Sequence, residues 1–535
     1  MGQILSRLRN VYYDLQALFA ELSVTGRQFE ALLRRISQPA FPPPNPTVSF
    51  WQRNPPFPNL VSTASATLPA HADIVIIGSG ISGASIAYTI LTARSRDNDR
   101  KQPPPRVVIL EARDVCSGAT GRNGGHIKHN AYADYACLKK QFGKTRAKDV
   151  LLFGRRHLPT LLELTRERKD LEIAEAREVE TVDIFTDRDM WVKAKKMVDG
   201  LRRDVPEAGD EISVYEGTEG CEKYNIGVDH CVGIITYPAG AMWPYRFVTA
   251  LLSSLLADYG EYFSIETNNP VMEVQTSPAG AGHPYTIHTR RGHISATQVI
   301  HATDAFASNL IPGLTGKLFP VRGHMSAQTP GTQFPGLDGA RSWGIIGNRG
   351  FDYITQRPAA GGGELMVGGG LVQSPERGFD EFGVWGDDRL SYPVRAYLEG
   401  LMPAVFGEKN WGQEADGGRM KNVWSGCMGF TVDLLPYVGR LDPRLTGRKP
   451  PKRGCWDTSR TAGEWISAGF QGEGMVLAWL SGVAVGLMAM GMDEVDVDAR
   501  PGIPGGKVGD WFPQELLCSR RRVERGSVSQ LATML

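Results

Sequence analysis

One stretch of the sequence decides the fold: Ala72-Asp73-Ile74-Val75-Ile76-Ile77-Gly78-Ser79-Gly80-Ile81-Ser82-Gly83. It begins with a β-branched run, which is typical of a strand buried on both faces. Three glycines follow, and residues 84–91 then have the composition of a helix. In that setting Gly78 makes a tight turn, Gly80 lets the backbone approach a pyrophosphate, and Gly83 lets the helix pack on the strand.

The next strand completes a βαβ unit. Residues 107–110 are apolar, and Glu111 stands at their end, where a carboxylate accepts hydrogen bonds from ribose hydroxyls and repels a 2′-phosphate. The helix N-terminus offers N–H groups and a partial positive charge to phosphates. This order predicts a dinucleotide site formed by Gly78, Ser79, Gly80, Ile81, Ser82, Gly83 and Glu111.

The composition excludes several other classes of protein. The 535 residues, 41% of them hydrophobic, are enough for about two to four domain cores. The formal charge of +1 gives no field that would recruit nucleic acid. The seven cysteines contain no CxxC pair, so we predict no metal site and expect a reducing, cytoplasmic setting.

Two regions raise the question of a membrane. Residues 475–492 are uncharged and about as long as a transmembrane helix. Gly482 and Gly486 lie one turn apart, which suits a core helix as well as a membrane helix. The Gly-rich lead-in at residues 469–475 favours the core helix. Met1-Gly2-Gln3-Ile4-Leu5-Ser6 matches the short, permissive pattern for myristoylation of Gly2. One acyl chain binds membranes only marginally, so weak membrane association through Gly2 is the alternative to a purely cytoplasmic protein.

The segment after Glu111 carries a second set of small residues. It reads Ala112-Arg113-Asp114-Val115-Cys116-Ser117-Gly118-Ala119-Thr120-Gly121-Arg122-Asn123-Gly124-Gly125-His126. Such a loop suits close passage of the backbone along a second phosphate and a flat ring. We predict cofactor contacts by Ala112, Arg113, Ser117, Gly118, Ala119, Thr120, Arg122, Asn123, Gly124, Gly125 and His126.

Here the chain resembles the D-amino acid oxidase-like branch of FAD-dependent oxidoreductases, which includes glycine oxidase, sarcosine oxidase, D-amino acid dehydrogenase and γ-glutamylputrescine oxidase. The SGATGRNGGH stretch is similar to that family's second flavin motif. Segments 296–305, 424–426 with 431–439, and 469–475 are similar to later motifs. The resemblance implies that a helix N-terminus faces the flavin's pyrimidine end. It also implies FAD contacts by Ala302, Thr303, Gly469, Phe470, Gln471, Gly472, Glu473, Gly474 and Met475.

The resemblance further implies the architecture. We expect an α/β protein in which a Rossmann-type FAD-binding domain is interleaved with a substrate domain on a mostly antiparallel sheet. A helical N-terminal extension is predicted from its amphipathic spacing, and a linker from its prolines. The expected boundaries are 1–37 for the extension, 38–70 for the linker, 71–135, 232–322 and 420–495 for the FAD domain, 136–231 and 323–419 for the substrate domain, and 496–535 for a C-terminal tail.

The family chemistry implies oxidation of a C–N bond in a small amine or amino acid. Hydride leaves the carbon that bears nitrogen for flavin N5 and yields an imine. We predict that Arg322 and Arg357, and after them Arg349, bind a substrate carboxylate, because arginine forms bidentate pairs with carboxylates. His126 is predicted to contact the flavin. The predicted catalytic set is therefore His126, Arg322 and Arg357.

Two departures from family patterns bear on the chemistry. Some relatives activate oxygen with a lysine at the position that matches Met366 here. Because this chain has no lysine there, the electron acceptor stays open between O2 and another oxidant. Some relatives attach FAD through a cysteine near the position of Cys427, which is one residue out of register, so we predict noncovalent FAD. Cys427 is then a small buried residue.

Two other functions remain open on the sequence alone. An NAD-linked dehydrogenase would share the first glycine motif but has no need of the GRNGGH loop or the GFQGEGM segment. A catalytically idle flavoprotein could serve as a membrane-tethered scaffold. The substrate, its handedness and the oligomeric state are not determined by these patterns.

Overall fold

The computed structural model describes residues 25–93, 103–227, 231–278, 282–348, 350–449 and 462–528. Two β-sheets and the helices packed on them make a mixed α/β protein, which confirms the predicted fold class. Gly2 and Arg349 lie outside the described residues, so the predictions for them stay predictions.

The bounds of the strands are as follows: β1 (His71–Ile77), β2 (Val107–Leu110), β3 (His126–Ile127), β4 (Arg177–Phe185), β5 (Ser213–Glu216), β6 (Gly233–Ala241), β7 (Phe263–Glu266), β8 (Val271–Thr276), β9 (Tyr285–Thr289), β10 (Gly292–His301), β11 (Leu318–Gln328), β12 (Arg341–Gly347), β13 (Gly350–Gln356), β14 (Leu365–Gly369), β15 (Met420–Thr431), β16 (Tyr437–Arg440) and β17 (Gly463–Ala468).

The bounds of the helices are as follows: α1 (residues 25–36), α2 (Pro58–Val61), α3 (Ile81–Thr92), α4 (Ala131–Phe142), α5 (Lys144–Glu167), α6 (Arg188–Asp204), α7 (Pro206–Gly209), α8 (Gly217–Tyr224), α9 (Pro244–Tyr259), α10 (Tyr392–Trp411), α11 (Pro443–Thr446), α12 (Gly474–Ala489) and α13 (Arg520–Arg525). Helix α10 is kinked at Gly407, where φ is 70° and ψ is 162°.

The first sheet has the strand order β16-β17-β10-β1-β2-β7. Its central strands β17, β10, β1, β2 and β7 are parallel, whereas β16 is antiparallel at one edge. All four residues of β2 are buried, as are the last four of β1. These two strands bracket α3, so the predicted βαβ unit lies at the centre of the sheet.

Helix α12 packs closely against α3. A Cβ at Gly482 would lie 2.8 Å from the Ser85 side chain, and one at Gly486 would lie 2.9 Å from Thr89. The Ser85 hydroxyl donates to the Trp479 carbonyl at 2.5 Å. The uncharged run is therefore a core helix, as predicted. Among the described residues, no helix combines the length and apolarity that a membrane crossing requires.

The second sheet has the order β15-β11-β14-β13-β12-β4-β6-β3, with β5 beside β6. Its neighbours are antiparallel except β4 and β12, which agrees with the expected mostly antiparallel sheet. The strand membership differs from the expected boundaries, because β3, β6 and β15 belong to this sheet although their residues were placed in the FAD domain. The two domains thus exchange strands at their junction.

The N-terminal region departs from a free extension and linker. In α1, Leu32 and Ile36 are buried against Phe319, Val321 and Phe382. Residues 50–52 form a short 3₁₀ helix, and Trp51 is 1% exposed. The Pro-rich segment therefore packs on the body of the protein. The described part of the C-terminal tail also packs on the body of the protein.

Candidate functional site

The glycine-rich turn after β1 has no room for side chains. Gly78 has φ of 109°, and a Cβ there would lie 2.5 Å from the carbonyl oxygen of Ala302. A Cβ at Gly83 would collide with the carbonyl oxygen of Gly78. The turn therefore brings bare backbone to the N-terminus of α3, where the helix dipole favours an anion.

Glu111 lies next to this turn, at the end of β2. One carboxylate oxygen accepts from the Ser79 N–H at 3.0 Å and from the Ser79 hydroxyl at 2.7 Å. The other accepts from the Arg113 N–H at 3.0 Å. Glu111 is half-buried. Because it lies beside the glycine turn, the predicted ribose position is next to the predicted phosphate position.

The loop from Ser117 to Arg122 covers the start of α3. The Thr120 hydroxyl accepts from the Ile81 N–H at 3.0 Å. The Ser117 side chain is 6% exposed, and its hydroxyl has no hydrogen-bond partner within the protein. A buried hydroxyl without a partner is costly, so this position suits a bound polar group.

Two buried arginines of this loop share one carboxylate. Asp387 accepts from the two Nη atoms of Arg113 at 2.8 and 3.1 Å and contacts Nε of Arg122 at 3.1 Å. The three side chains are 9%, 2% and 2% exposed for Arg113, Arg122 and Asp387. Burial, opposed by Asp387, lowers the pKa of Arg122 to about 10. Two positive charges against one negative charge favour an anion nearby.

Hydrogen bonds from four other segments of the chain fix the position of the Arg-Asn-Gly-Gly segment. Each of its four consecutive carbonyls accepts a hydrogen bond from a different segment of the chain. The donors to the carbonyls of Arg122, Asn123, Gly124 and Gly125 are, in that order, the Trp424 indole at 2.7 Å, the Trp51 indole, the Thr355 hydroxyl at 2.7 Å and the Met242 N–H at 2.9 Å. The position of this loop is therefore set by β15, the N-terminal segment, β13 and the end of β6.

One face of the second sheet lies over this loop and is lined by glycines. A Cβ at Gly368 would lie 2.5 Å from the Tyr353 ring, and one at Gly124 would collide with the same ring. The Tyr353 hydroxyl lies 3.0 Å from the Met325 sulfur. Burial raises the pKa of Tyr353 to about 12, so its phenol stays protonated at neutral pH.

His126 ends the loop and faces the same sheet. Its Nε2 lies 2.9 Å from the Ser342 hydroxyl, and its ring centroid is 6.5 Å from that of Tyr353. Burial and then the charge of Lys128 lower the pKa of His126 well below its usual range. The imidazole is therefore neutral near pH 7.

A buried polar cluster adjoins His126. Lys128 forms an ion pair with Asp183, and the hydroxyls of Tyr132 and Tyr237 donate to the other oxygen of that carboxylate at 2.9 and 2.8 Å. The hydroxyl of Thr181, which is fully buried, has no partner within the protein. The two opposite charges of the Lys128–Asp183 ion pair therefore lie beside His126.

The turn before α12 is tied to the other motifs by Asp304. Its carboxylate accepts from the N–H groups of Gly469 at 2.9 Å, Phe470 at 3.4 Å and Gly429 at 2.8 Å. Burial raises the pKa of this carboxyl. One side chain thus joins its own segment to two others, so that three segments far apart in the sequence are held together.

Glu473 is the N-cap residue of α12 and lies near Asp134 of α4. Burial raises the pKa of Glu473 to about 7. The pKa of Asp134 is also raised, by burial and by the charge of Glu473. Burial and the neighbouring like charge therefore both favour the protonated form of Asp134, and burial favours the protonated form of Glu473.

A family model, the FAD-dependent oxidoreductase family named DAO, matches residues 73–486. The chain belongs to the DAO family. The match spans both sheets and every motif described above, so the NAD-linked alternative is wrong. Members of the family are enzymes, and this chain is an FAD-dependent oxidoreductase.

Solved structures with the same fold include several DAO-like enzymes. Glycine oxidase from Geobacillus kaustophilus is 17% identical, with a TM-score of 0.56 over 81% of this chain and 98% of that one. L-Proline dehydrogenase from P. horikoshii is 19% identical, with a TM-score of 0.56 over 79% and 95%. L-Amino acid deaminase from Proteus vulgaris, lacking its specific insertion, is 17% identical, with a TM-score of 0.56 over 85% and 98%. No curated protein sequence matches the chain.

The site fits the cofactor of the DAO family. The glycine turn brings backbone without side chains to the start of α3, the hydroxyl of Ser117 lacks a partner, and Arg113 with Arg122 carries more positive charge than Asp387 balances. Cys427 is 4% exposed, and its sulfur contacts the Val384 carbonyl at 3.5 Å. Its β15 neighbours Gly426 and Met428 instead contact the Ala112–His126 segment, here called the flavin loop, and the turn before α12. This direction agrees with noncovalent FAD.

Two of the arginines predicted to bind substrate form ion pairs within the protein. Nε of Arg322 donates to the buried Glu381 at 2.6 Å. It lies on the sheet face opposite that of Gly323 and Met325, because side chains alternate along β11. Arg357 pairs with Glu364 at 2.6 Å and Glu175 at 2.7 Å. Each guanidinium thus pairs with a carboxylate of the protein, which favours a structural role, and the predicted binding of substrate by both stays a prediction.

Several important residues escaped the sequence reasoning. Asp304 stood inside a recognised motif without a role, and Asp387 and Thr47 stood outside all motifs. Lys128 followed the loop directly, and its proximity to His126 was the available signal. Met366, at the position where some relatives carry lysine, is fully buried in β14.

Proposed function

We propose that this DAO-family enzyme oxidises the C–N bond of a small amine or amino acid. The proposal is supported most directly by the face of the second sheet that lies over the Arg-Asn-Gly-Gly-His loop. There the Tyr353 ring packs directly on Gly124 and Gly368, and Tyr353, Ser342 and neutral His126 supply hydrogen-bonding atoms. The named activities of glycine oxidase and L-proline dehydrogenase, which share the fold, favour the same substrate class.

We propose that FAD contacts the residues of the glycine turn, Glu111, the Ala112–His126 loop, Ala302, Thr303 and residues 469–475. When bound, FAD supplies the acceptor for the hydride that leaves the substrate carbon. The protein binds and orients the substrate above the ring. Tyr353 and Met325 exclude water from the sheet side of that space.

The substrate nitrogen must lose its proton before it can become an imine nitrogen. Neutral His126 can accept a hydrogen bond from the amine, with Ser342 fixing the ring orientation at 2.9 Å. Because burial keeps the pKa of His126 low, it is a hydrogen-bonding partner at neutral pH rather than a strong base. Glu473, with a pKa of about 7, is the better proton acceptor near the flavin helix.

Anaerobic reduction of the bound flavin tests the proposal. Purified holoenzyme is mixed with glycine, sarcosine, D- and L-proline, N-methyl amines and polyamines, and the visible flavin band is followed. At least one compound should bleach the band, and Tyr353→Phe should slow bleaching about threefold or more through loss of one hydrogen bond. Tyr392→Phe, at a side chain 78% exposed, is the matched control and should leave the rate unchanged.

Chemical reduction by dithionite supplies the internal standard. If dithionite bleaches the band and no amine or amino acid does so, the substrate class is wrong, and the idle flavoprotein becomes the better account. Reoxidation of the reduced enzyme by air and by a dye acceptor then distinguishes the electron acceptor. Because Met366 stands where some relatives carry lysine, we expect the dye to react faster than oxygen.

A further inference from the structure

The N-terminal segment from Pro43 to Arg53, here called the strap, crosses the outer side of the flavin loop. The Thr47 N–H and hydroxyl both donate to the Asp387 carbonyl, at 2.8 and 2.9 Å. The hydroxyl also accepts from the Ser425 N–H at 3.0 Å and lies 3.3 Å from Nη1 of Arg122. One hydroxyl therefore joins the strap to β15, to the flavin loop and to the segment that carries Asp387.

Trp51 makes the second connection. Its indole N–H donates to the Asn123 carbonyl, and its own carbonyl accepts from the Trp243 indole at 3.0 Å. The two indole rings pack with centroids 5.0 Å apart, and Trp51 is 1% exposed. Gln52 donates to the Cys116 carbonyl at 3.2 Å. The strap thus contacts the flavin loop at both ends.

The contact with the loop is close. A Cβ at Gly121 would lie 2.2 Å from the Cys116 carbonyl oxygen of the loop itself and 2.5 Å from the Gln52 amide nitrogen, so the loop and the strap pack tightly at this glycine. Nη1 of Arg113 also reaches the Pro43 carbonyl at 3.3 Å. The strap therefore contacts both members of the buried arginine pair.

The charge of that pair indicates what the strap protects. Arg113 and Arg122 are both buried, and Asp387 is the carboxylate that contacts both of them. An additional buried positive charge is strongly unfavourable unless an anion neutralises it. The pyrophosphate of FAD is such an anion, and a water-excluded setting strengthens the attraction.

We propose that the strap is part of the FAD site and that Thr47 and Trp51 are positioning residues that slow the release of FAD. Thr47 acts through Arg122, and Trp51 acts through Asn123. The inference depends on FAD as the cofactor and is independent of the substrate class. A failure of the amine screen would leave it untouched.

The rate of FAD release from the holoenzyme tests this inference. Free FAD fluoresces more strongly than bound FAD, so dilution of the holoenzyme reports the dissociation rate directly. Thr47→Val, which removes the hydroxyl and keeps the shape, should release FAD about tenfold faster, and Thr47→Ser should release it at nearly the wild-type rate. Trp51→Phe, which keeps an aromatic ring and removes the indole N–H, should increase the rate about threefold or more.

The matched control is Thr249→Val. That hydroxyl is also buried but bonds within its own helix, to the Tyr245 carbonyl at 2.7 Å. A general loss of stability would raise the release rate in both threonine-to-valine variants alike. That result would overturn the inference, as would wild-type release from Thr47→Val or an equal increase in Thr47→Ser. If Thr47→Val did not fold, Thr47→Ser and Trp51→Phe would decide the question by the same measurement.

Discussion

The two halves of the cofactor site are built in different ways. The adenosine half is one continuous piece of about forty residues, in which β1, α3 and β2 succeed one another around the glycine turn. The ring half gathers the loop after β2, strands β11 to β15, the start of α12 and the strap. In the adenosine half local backbone geometry sets the structure, whereas in the ring half contacts between distant segments do so.

This difference predicts two kinds of failure. Side chains added to the adenosine half cause steric collisions that nothing nearby can relieve. In the ring half, loss of a polar partner leaves buried groups without hydrogen bonds, and the damage depends on how many groups one residue serves. Substitutions in each half can therefore separate the two mechanisms.

The largest effect is expected from Gly83→Ala. A methyl group there would overlap the Gly78 carbonyl oxygen, which belongs to the turn itself. The protein should be colourless and should retain no FAD after purification, as judged by its absorbance spectrum. The control is Gly400→Ala on the exposed face of α10, where no atom lies within 4 Å of the added carbon. It should gain up to about 1 kcal/mol of stability and keep its colour. A yellow Gly83→Ala protein would contradict a sterically determined adenosine half.

The next largest effect is expected from Asp304→Ala in the ring half. The change leaves the N–H groups of Gly469, Phe470 and Gly429 without their acceptor. The free energy of unfolding in urea should fall by about 3 kcal/mol, since each unsatisfied buried group costs about 1 kcal/mol or more. Asp304→Asn keeps one oxygen acceptor and should lose less. Equal losses in the two variants would mean that charge, rather than hydrogen bonding, holds the three segments.

Arg322→Met separates a structural role from substrate binding. Because Glu381 is 1% exposed, removal of its partner leaves a buried charge, and stability should fall by about 3 kcal/mol. The double variant Arg322→Met with Glu381→Leu should recover much of that loss. Both unfolding free energies come from urea titration. An unchanged stability together with a tenfold higher KM would indicate Arg322 as a substrate ligand.

The smallest expected effect is a pH dependence at the start of α12. Burial raises the pKa of Glu473 to about 7, so the folded state keeps its proton at pH values where the unfolded chain has lost it. The contribution of this group to stability is complete below about pH 4.5, declines as the pH rises toward 7, and is constant above that. The free energy of unfolding of Glu473→Gln should therefore fall less between pH 5 and pH 8 than that of the wild type. The difference should be about 1 kcal/mol, a figure reduced for the partial exposure of the side chain.

Unfolding free energies at the two pH values give that comparison. Glu399→Gln, at an exposed position of α10, is the matched control and should follow the wild-type profile. If Glu473→Gln also followed the wild-type profile, the carboxyl would be ionised in the folded protein, and it would no longer be the preferred proton acceptor near the flavin helix.

The sequence predicted the adenosine half in detail. Strand β2 has the predicted bounds, β1 begins one residue before its predicted start, and Glu111 follows β2 as expected. These features could be predicted because a buried strand, a turn that excludes side chains and a helix start each require particular residues at adjacent positions. The core helix α12 was predicted from the Gly-rich lead-in at residues 469–475, because that segment resembles a flavin motif that precedes a helix.

The partners of charged and polar residues could not be predicted in this way. Arg322 and Arg357 were assigned to substrate because an arginine's sequence neighbours do not reveal which carboxylate it contacts. The strap was predicted to be a linker, because its prolines exclude regular structure but do not exclude packing. The domain boundaries differ at β3, β6 and β15, since an apolar strand does not record which sheet it joins.

The sequence by itself determined the βαβ unit, because this unit depends on interactions between near neighbours in the chain. It also indicated the family and the cofactor, because their motifs are short runs of residues that can be compared one by one. The tertiary structure alone decided which acid meets which base and what covers the flavin loop. Arg113 and Asp387 are separated by 274 residues, and their contact exists only after both sheets have formed. Burial makes such a pair specific, because a charge removed from water must find the one partner that the fold brings within reach.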